Sequence, residues 1–391
     1  MDNDNNKESA IGYVHKLLNS MLEKGASDLF ITALAAPSVK VDGGMTPLAD
    51  QKLSAEQAGF LVRSIMNDHQ LKEFEEHMEC NFAISLPGKA RFRVNTFTQR
   101  GSQGMVLRHI PDYIPSFKEL VLPPVLKDIA MTKRGLVIMV GATGSGKSTT
   151  LASMVDYRNK NTMGHIVTIE DPIEFTHEHH GCIVTQREVG VDTSDYAIAM
   201  KNTLRQAPDV ILLGEVRDRE TMEYAIAYAE TGHLCLTTLH ANSTNQALDR
   251  IINFFPEERR DQLLMDLSLN LKGVVSQRLV RKSKGNGRLP AVEVMLNTPM
   301  MADLVHNGDI PAIKELIAKS NQLGMCTFDQ ALFRLIDANM ITVKEGLRNA
   351  DSVNNLRLQL KLKSKHAQTG DFFQGAEELA IESLDGYTPK M

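Results

Sequence analysis

The segment GATGSGKSTT, which begins at Gly141, has the residue types and spacing of a phosphate-binding loop. It fits the pattern G-x-x-x-x-G-K-[ST] and lies between an apolar run and a predicted helix. Glycines let backbone N–H groups curve around phosphate oxygens, and the helix directs its positive end at the same point. We therefore expect ATP, with Lys147 at the outer phosphates and the Ser148 hydroxyl on Mg²⁺. The loop residues expected at the nucleotide are Gly141, Thr143, Gly144, Ser145, Gly146, Lys147, Ser148 and Thr149.

Three other polar segments follow apolar runs. TIEDPIEF contains Glu174, DVILLGEVRD contains Glu215, and TTLHANST contains His240, with His233 at the start of the same predicted strand. Each alone is also compatible with an acidic turn, a solvated strand end or a histidine that caps a helix. The carboxyl ends of parallel strands share one edge of a sheet, where such proteins bind ligands. Together the four segments therefore predict one site.

The elements around these segments predict an α/β fold. Apolar strands alternate with helices, which is typical of a mostly parallel sheet covered on both faces. The expected strands are GLVIMVG, HIVTIED, CIVTQREV, DVILLGE and HLCLTTLH. Beyond Pro256 we expect a largely helical chain, apart from a basic hairpin-like piece, RKSKGNGRLP. LRLQLKLK, residues 356–363, alternates leucine with polar residues and predicts a strand.

The first 110 residues predict a separate, smaller α+β domain. Helical spacing covers residues 11–24, 54–67 and 69–77, and the strands are SDLFITA, SVKV, CNFAISL, ARFRVNTF and GMVLRHI. Residues 111–118, PDYIPSFK, contain two prolines and predict a linker between the two domains. The larger domain then spans residues 119–363, and 364–391 form an acidic tail that we expect to be mobile.

Composition excludes several classes of protein. The formal net charge of the 391 residues is −5, which disfavours a nucleic-acid partner. The four cysteines form no C-x-x-C pair and predict buried, reduced thiols. No apolar run is long enough for a transmembrane segment, and the polar, acidic start MDNDNNKESA does not resemble a secretory signal. We expect a cytoplasmic protein.

The motifs resemble those of the secretion ATPase superfamily, the hexameric motors of type IV pili and type II secretion. GATGSGKSTT is similar to its Walker A box, TIEDPIEF to its Asp box, DVILLGEVRD to its Walker B box and residues 230–242 to its His box. The resemblance covers about residues 25–363. Assembly and secretion branches usually carry an extra N-terminal domain and a tetracysteine zinc module. Neither is found here, which favours the retraction branch of PilT and PilU, and the run NQALDRIINFFPEERRDQLL and the acidic tail are most similar to the PilU group.

The resemblance implies a RecA-like P-loop ATPase domain, a PAS-like N-terminal domain and a homo-hexameric ring. It also implies a role in pilus retraction and twitching motility, together with a PilT-type motor. The ring would dock at the inner-membrane pilus base on a platform protein.

Individual roles also follow from the resemblance. Glu174 matches the catalytic glutamate that polarises the attacking water, and His240 the residue that senses the γ-phosphate. His233 matches a second histidine near the nucleotide. Because DVILLGE ends in Gly-Glu with no Asp, Glu215 is expected to reach Mg²⁺ through a water molecule. The expected catalytic residues are Lys147, Glu174, Glu215 and His240.

Arginines of the small domain complete the implied site. Arg93 and Arg108 match those that reach a neighbouring subunit's nucleotide, and Arg91 shares a strand face with Arg93. The alternative is an ordinary solvated sheet face.

Two other functions remain open at this point. One is an ATP-binding regulatory or scaffolding subunit on a PilT ring, with little activity of its own. The other is a nucleic-acid translocase, which the acidic charge balance disfavours.

Overall fold

The computed structural model describes residues 2–41, 44–86, 88–111, 113–285 and 287–363, and the predicted tail lies outside them. These residues form a mixed α/β fold with two sheets, as expected. They divide into two compact units. Unit 1 contains the described residues up to Ile114, together with Asp171–His177 and Gln186–Ala199. Unit 2 contains Pro115–Glu170, Glu178–Thr185 and the described residues from Met200 onward. Two segments that the sequence places in the larger domain therefore belong to unit 1.

The N-terminal elements of unit 1 are three helices and an antiparallel sheet of six strands in the order β3-β2-β1-β6-β5-β4. Helix α1 begins earlier than predicted, and β3 was not predicted. The bounds are α1 (Asp2–Glu23), β1 (Asp28–Ile31), β2 (Ser38–Val41), β3 (Gly44–Pro47), α2 (Ala55–Ser64), α3 (Asp68–His77), β4 (Glu79–Leu86), β5 (Ala90–Gln99) and β6 (Ser102–Ile110).

Strand β5 shows why this sheet forms. Its side chains alternate between buried and half-buried, so that Phe92 and Val94 enter the core while Arg91 and Arg93 share the other face. The core also contains Leu18 and Met21 from α1. One face of the sheet is thus buried under helices, and the other presents polar side chains.

The second sheet has seven strands in the order β13-β12-β7-β11-β10-β8-β9. The five strands expected from the sequence are present, and β7, β11, β10 and β8 pair in parallel. The elements up to α9 are α4 (Val125–Ala130), β7 (Gly135–Val140), α5 (Lys147–Asn161), β8 (Gly164–Glu170), β9 (Cys182–Glu188), α6 (Tyr196–Thr203), β10 (Val210–Leu213), α7 (Arg219–Glu230), β11 (Leu234–Leu239), α8 (Thr244–Phe254) and α9 (Arg260–Asn270).

The chain beyond Pro256 is not as helical as predicted. Two long strands, β12 (Leu271–Arg281) and β13 (Arg288–Leu296), pair antiparallel, and β12 adds to the sheet parallel to β7. Both are buried on both faces, so no alternation of polar and apolar residues marks them. Buried Gln277 and Glu293 further interrupt the apolar pattern. The predicted hairpin-like piece is the connection between them, of which Asn286 lies outside the described residues.

The strand predicted at residues 356–363 is a helix. It belongs to α14, the last of the five α-helices that the described residues form after β13. Its Leu356 and Leu360 are buried, while Leu358 and Leu362 are exposed. When leucine occupies alternate positions, every second leucine is four residues from the next. Residues with that spacing share one face of a helix. These helices are α10 (Pro299–His306), α11 (Ile310–Lys319), α12 (Phe328–Asp337), α13 (Val343–Asn349) and α14 (Val353–Lys363).

The sequence also predicts buried, reduced cysteines and no transmembrane segment. All four cysteines are free and buried, as predicted. Within the described ranges, no helix combines the length and the apolar character needed to cross a bilayer.

Candidate nucleotide-binding site

The phosphate-binding loop joins β7 to α5. Every residue of β7 is buried, and this strand holds the start of the loop in the middle of the sheet. Gly144 and Gly146 have φ of 75° and 85°, in the left-handed region that glycine adopts without steric cost. Gly146 precedes the first residue of α5, so the loop closes directly onto the helix N-terminus.

The loop is tightly packed at its two ends and open in its middle. A Cβ on Gly141 would collide with Ser145 Oγ, and one on Gly146 would lie 2.8 Å from Gln277 Nε2. At Gly144 a Cβ would meet nothing within 4 Å. The buried Ser145 hydroxyl oxygen has no hydrogen-bond partner among the described residues. An open, glycine-lined turn with an unpartnered polar atom fits a phosphate group.

Lys147 extends along the inside of this loop. Its buried Nζ donates to the carbonyl oxygens of Gly141 at 2.7 Å and Ala142 at 3.1 Å. Burial lowers the pKa of Lys147, and the negative charge of Glu215 opposes that change. Ser148 is exposed and Thr149 half-buried in the first turn of α5. The ammonium group of Lys147 is thus held against the backbone of the loop.

Glu215 follows β10 and lies between two basic side chains. Its Oε1 is 3.3 Å from His240 Nε2, and its Oε2 accepts from Arg217 Nε at 2.8 Å. Arg217 was not predicted, although its position two residues after Glu215 in GEVRD offered a signal. Both carboxylate oxygens are therefore already engaged by this chain.

His240 follows β11, the strand between β7 and β10. Burial lowers the pKa of His240, nearby Lys147 lowers it further, and Glu215 opposes both. The neutral imidazole is therefore favoured at pH 7. Arg250 donates to the His240 carbonyl at 2.6 Å and fixes the backbone here. The structure thus brings together Lys147, Glu215 and His240, and we call these three residues the charged cluster.

A pocket of about 400 Å³ adjoins the loop. The guanidinium of Arg278 lies 3.9 Å from the centre of the Phe328 ring and 2.7 Å from Asp351 Oδ1, so it is fixed at the pocket wall. None of these three residues was predicted. Besides residues 142–145 of the loop, the lining residues are Asn242, Gln277, Arg278, Leu279, Arg288 and Asn349.

His233 is not part of the charged cluster. It precedes β11, at the amino end of that strand, whereas His240 lies at the carboxyl end. Its Nδ1 is 3.0 Å from Thr231 Oγ1 and 3.2 Å from the Tyr228 carbonyl. Within its own chain, His233 is therefore at the opposite edge of the sheet from the loop.

The predicted arginines lie together in unit 1. Arg93 on β5 is directly opposite Arg108 on β6, and Arg91 shares the face of Arg93. Arg108 Nε donates to the buried Asp28 at 2.7 Å, and Arg91 is 4.0 Å from Glu188. We call Arg91, Arg93 and Arg108 the arginine face.

Glu174 also belongs to unit 1, and its side chain is exposed. The N–H of the preceding residue, Ile173, donates to Glu188 Oε2 at 3.3 Å. Burial raises the pKa of Glu188, while the Ile173 N–H and the charges of Arg91 and Arg93 oppose that rise. Buried Glu188, which was not predicted, thus connects the Glu174 segment to the arginine face.

A loop of this geometry between a buried strand and a helix defines the class of P-loop proteins. The family model described as "Type II/IV secretion system protein" matches residues 3–323, and the chain belongs to that family.

Named relatives and a solved structure are similar over most of this chain. "Type IV pilus ATPase PilU" of Pseudomonas aeruginosa is 58% identical over 350 residues, which are 90% of this chain and 92% of that protein. "Type IV pilus retractation ATPase PilT" of the same organism is 41% identical over 342 residues, 88% of this chain and 99% of that protein. A crystal structure of the pilus retraction motor PilT with bound ADP has a TM-score of 0.83 at 38% identity, covering 88% and 99% of the two chains.

Proposed function

We propose that this protein is an ATP-hydrolysing motor of type IV pilus retraction, of the PilU kind. The observation that carries the proposal is the charged cluster. Lys147, Glu215 and His240 converge at the carboxyl ends of three neighbouring strands, beside an open glycine loop. The similarity to proteins named as type IV pilus ATPases gives that chemistry its setting.

The loop would hold the phosphates of ATP through backbone N–H groups and the α5 N-terminus. Lys147, which lies against the Gly141 and Ala142 carbonyls, would exchange those contacts for phosphate oxygens. When bound, Mg²⁺ neutralises charge on the outer phosphates. Ser148 and Glu215 would hold it.

Glu215 suits a contact with Mg²⁺ through water better than a direct one. Each of its carboxylate oxygens already has a partner, Arg217 or His240, and direct metal binding would displace one of them. The exposed Glu174 is then the residue that polarises the attacking water. Neutral His240 would offer Nε2–H to the γ-phosphate when that group is present.

The assembly we propose is a homo-hexameric ring with sites completed by a neighbour's arginine face. The partners would be a PilT-type motor and a platform protein at the inner-membrane pilus base, and the location cytoplasmic. We also propose a RecA-like ATPase domain at residues 119–363, a PAS-like domain at 1–110 and a hinge at 111–118. His233 would meet nucleotide only through such an assembly, since it lies away from its own loop.

Phosphate release by the purified protein tests this function, first alone and then with a PilT-type motor. Lys147→Ala should lower turnover by about a hundredfold or more, because the loop loses the cation at the transferred phosphate. Lys160→Ala is the matched control, since Lys160 lies on the same helix, is exposed and pairs with Asp156, four residues before it. That control should hydrolyse ATP at the parent rate.

Two outcomes would contradict the proposal. A Lys147→Ala protein that retains the parent rate would show that the loop assignment is wrong. A parent protein that binds ATP, is inactive alone and leaves the rate of the partner motor unchanged would instead be a regulatory or scaffolding subunit.

A further inference from the structure

Gln277 is a buried polar residue that the sequence did not single out. It lies on β12, which runs parallel to β7 with Ser276 opposite Val140. Because Val140 is the last residue of β7, Gln277 lies beside the first residue of the phosphate-binding loop. Its exposed fraction is 2%. A buried amide requires hydrogen-bond partners.

The amide group of Gln277 binds both ends of the loop's closing turn. Nε2 donates to the Ser145 carbonyl at 2.8 Å, and Oε1 accepts from Thr150 Oγ1 at 2.8 Å. A carbonyl oxygen only accepts, so the amide orientation follows from this contact, and the Thr150 hydroxyl must be the donor. The Thr150 N–H also donates to the Gly146 carbonyl at 3.0 Å. One side chain therefore ties the loop to the first turn of α5.

The Ser145 carbonyl and the Gly146 N–H belong to one planar trans peptide and point in opposite directions. By holding the carbonyl, Gln277 directs the N–H of Gly146 away from β12. Glycine is the residue at which such a peptide reverses most easily, because both signs of φ are open to it. Gly146 has φ 85°, and a Cβ there would lie 2.8 Å from Gln277 Nε2. A contact from outside the loop, such as the one from Gln277, therefore stabilises one orientation.

We propose that Gln277 is a positioning residue for nucleotide binding, which fixes the Ser145–Gly146 peptide so that the Gly146 N–H faces the bound phosphates. This proposal rests on the proposed function and adds a residue that acts on the phosphates only through the loop. A purely structural residue would lower stability when replaced and leave nucleotide affinity unchanged. A positioning residue would lower affinity for nucleotide in a folded protein.

The test uses Gln277→Met and Gln277→Glu, both close to glutamine in size. Methionine makes neither hydrogen bond, and a carboxylate cannot donate to the Ser145 carbonyl. We expect the Kd for ADP and the KM for ATP to rise about tenfold, the effect of one lost buried hydrogen bond, with a smaller change in kcat. Amide hydrogen exchange at residues 144–148 should become faster. Calorimetry, steady-state kinetics and exchange mass spectrometry measure these quantities.

Two further variants sharpen the result. Ser276→Ala changes the neighbouring buried residue, whose hydroxyl is 3.4 Å from Thr244 Oγ1 and touches no part of the loop, and it should leave ADP affinity unchanged. Thr150→Val removes only the second partner of Gln277, so its rise in KM should be smaller than that of Gln277→Met.

Unchanged ADP affinity and unchanged exchange in a folded Gln277→Met protein would overturn the inference. So would failure of both Gln277 variants to fold, since Gln277 would then be a residue of the core. If the parent protein hydrolyses no ATP alone and leaves the rate of a PilT-type motor unchanged, the proposed function fails. ADP affinity and exchange then still decide the role of Gln277.

Discussion

The charged cluster of unit 2 and the arginine face of unit 1 differ in how their charges are balanced. In the cluster, the acid lies among bases, because Glu215 contacts His240 and Arg217 while its charge acts on buried Lys147. On the arginine face the bases exceed the acids. Arg108 is paired with Asp28, but Arg93 forms no ion pair within 4 Å among the described residues.

This difference separates the proposed nucleotide site, whose acid and bases lie side by side, from a surface with an excess of positive charge. Arg108 remains 62% exposed despite its ion pair, and three arginines on one face repel each other. A phosphate group would relieve that repulsion and accept hydrogen bonds from the guanidinium groups. The role in trans that we propose for the arginine face, at a neighbour's nucleotide, would supply such a group.

The largest expected effect on turnover comes from inactivating the arginine face in some subunits and the phosphate-binding loop in others. Arg93→Ala and Arg108→Ala should each lower turnover on the order of a thousandfold, as removal of a charge-stabilising arginine does. Mixing inactive Arg108→Ala with inactive Lys147→Ala under subunit exchange should restore phosphate release, because some loops then face intact arginines. Asp28→Asn is the control, since it removes the ion pair and leaves Arg108 in place. If mixed rings form but phosphate release is the same at every mixing ratio, the arginines do not act at a neighbour's nucleotide.

A second test compares an acid from each unit. Glu174→Gln should still bind MgATP and lose about a hundredfold or more in hydrolysis, because the water is no longer polarised. Glu215→Gln should slow hydrolysis and also raise the Mg²⁺ concentration needed for half-maximal rate. Titrating Mg²⁺ against both variants measures this. If both variants need the same Mg²⁺ concentration as the parent protein, Glu215 has no role in holding the metal.

Glu188 provides a smaller effect, on stability rather than rate. Burial raises its pKa, so between its usual value of 4.5 and the raised value the folded protein binds more protons than the unfolded one. The stability from this group is present below pH 4.5 and is lost as pH rises through the folded pKa. Glu188→Gln, which keeps an acceptor for the Ile173 N–H, should therefore unfold at higher urea than the parent at pH 7.5. The difference should shrink toward pH 5, and a variant less stable at pH 7.5 would contradict the argument.

The smallest expected effect concerns His240. Its pKa is lowered by burial and by Lys147, Arg250 and Arg217 against the opposing Glu215, so the folded protein binds fewer protons than the unfolded one below pH 6.5. Stability is fully present above pH 6.5 and falls as pH decreases through the folded pKa. His240→Gln should lose less stability than the parent between pH 7.5 and 5.5 in urea titrations. Parallel curves for the two proteins would show that the pKa of His240 is the same in the folded and unfolded states.

The sequence predicted the residues whose chemistry has a local signature. The P-loop motif carries its strand and helix on either side, so Lys147 and Ser148 could be placed without a structure. Glu215 and His240 follow apolar strands, and parallel pairing brings those strand ends together. The resemblance to the motor family then named Glu174, Arg93 and Arg108, whose roles stay predictions.

Residues without a local signature could not be found in this way. Gln277 reaches a carbonyl 132 residues away, and nothing in the run GVVSQRLV marks that contact. In the sequence, Glu188 cannot be distinguished from any other acidic residue at the end of a strand. Only the structure shows that it is buried. The leucines at 356–363 fit two periods at once, and only packing of Leu356 and Leu360 selects the helix. Burial and long-range pairing decide such cases.

The insertion of β12 between β13 and β7 has a consequence for synthesis of the chain. Strand β7 pairs on one side with β11 and on the other with β12, which begins at Leu271. A nascent chain released only to residue 270 would leave one edge of β7 unpaired, exposing hydrogen-bonding groups that promote aggregation. Such contacts between distant residues also form slowly. A ribosome-bound chain should therefore gain native affinity for nucleotide only after β12, which ends at Arg281, has emerged.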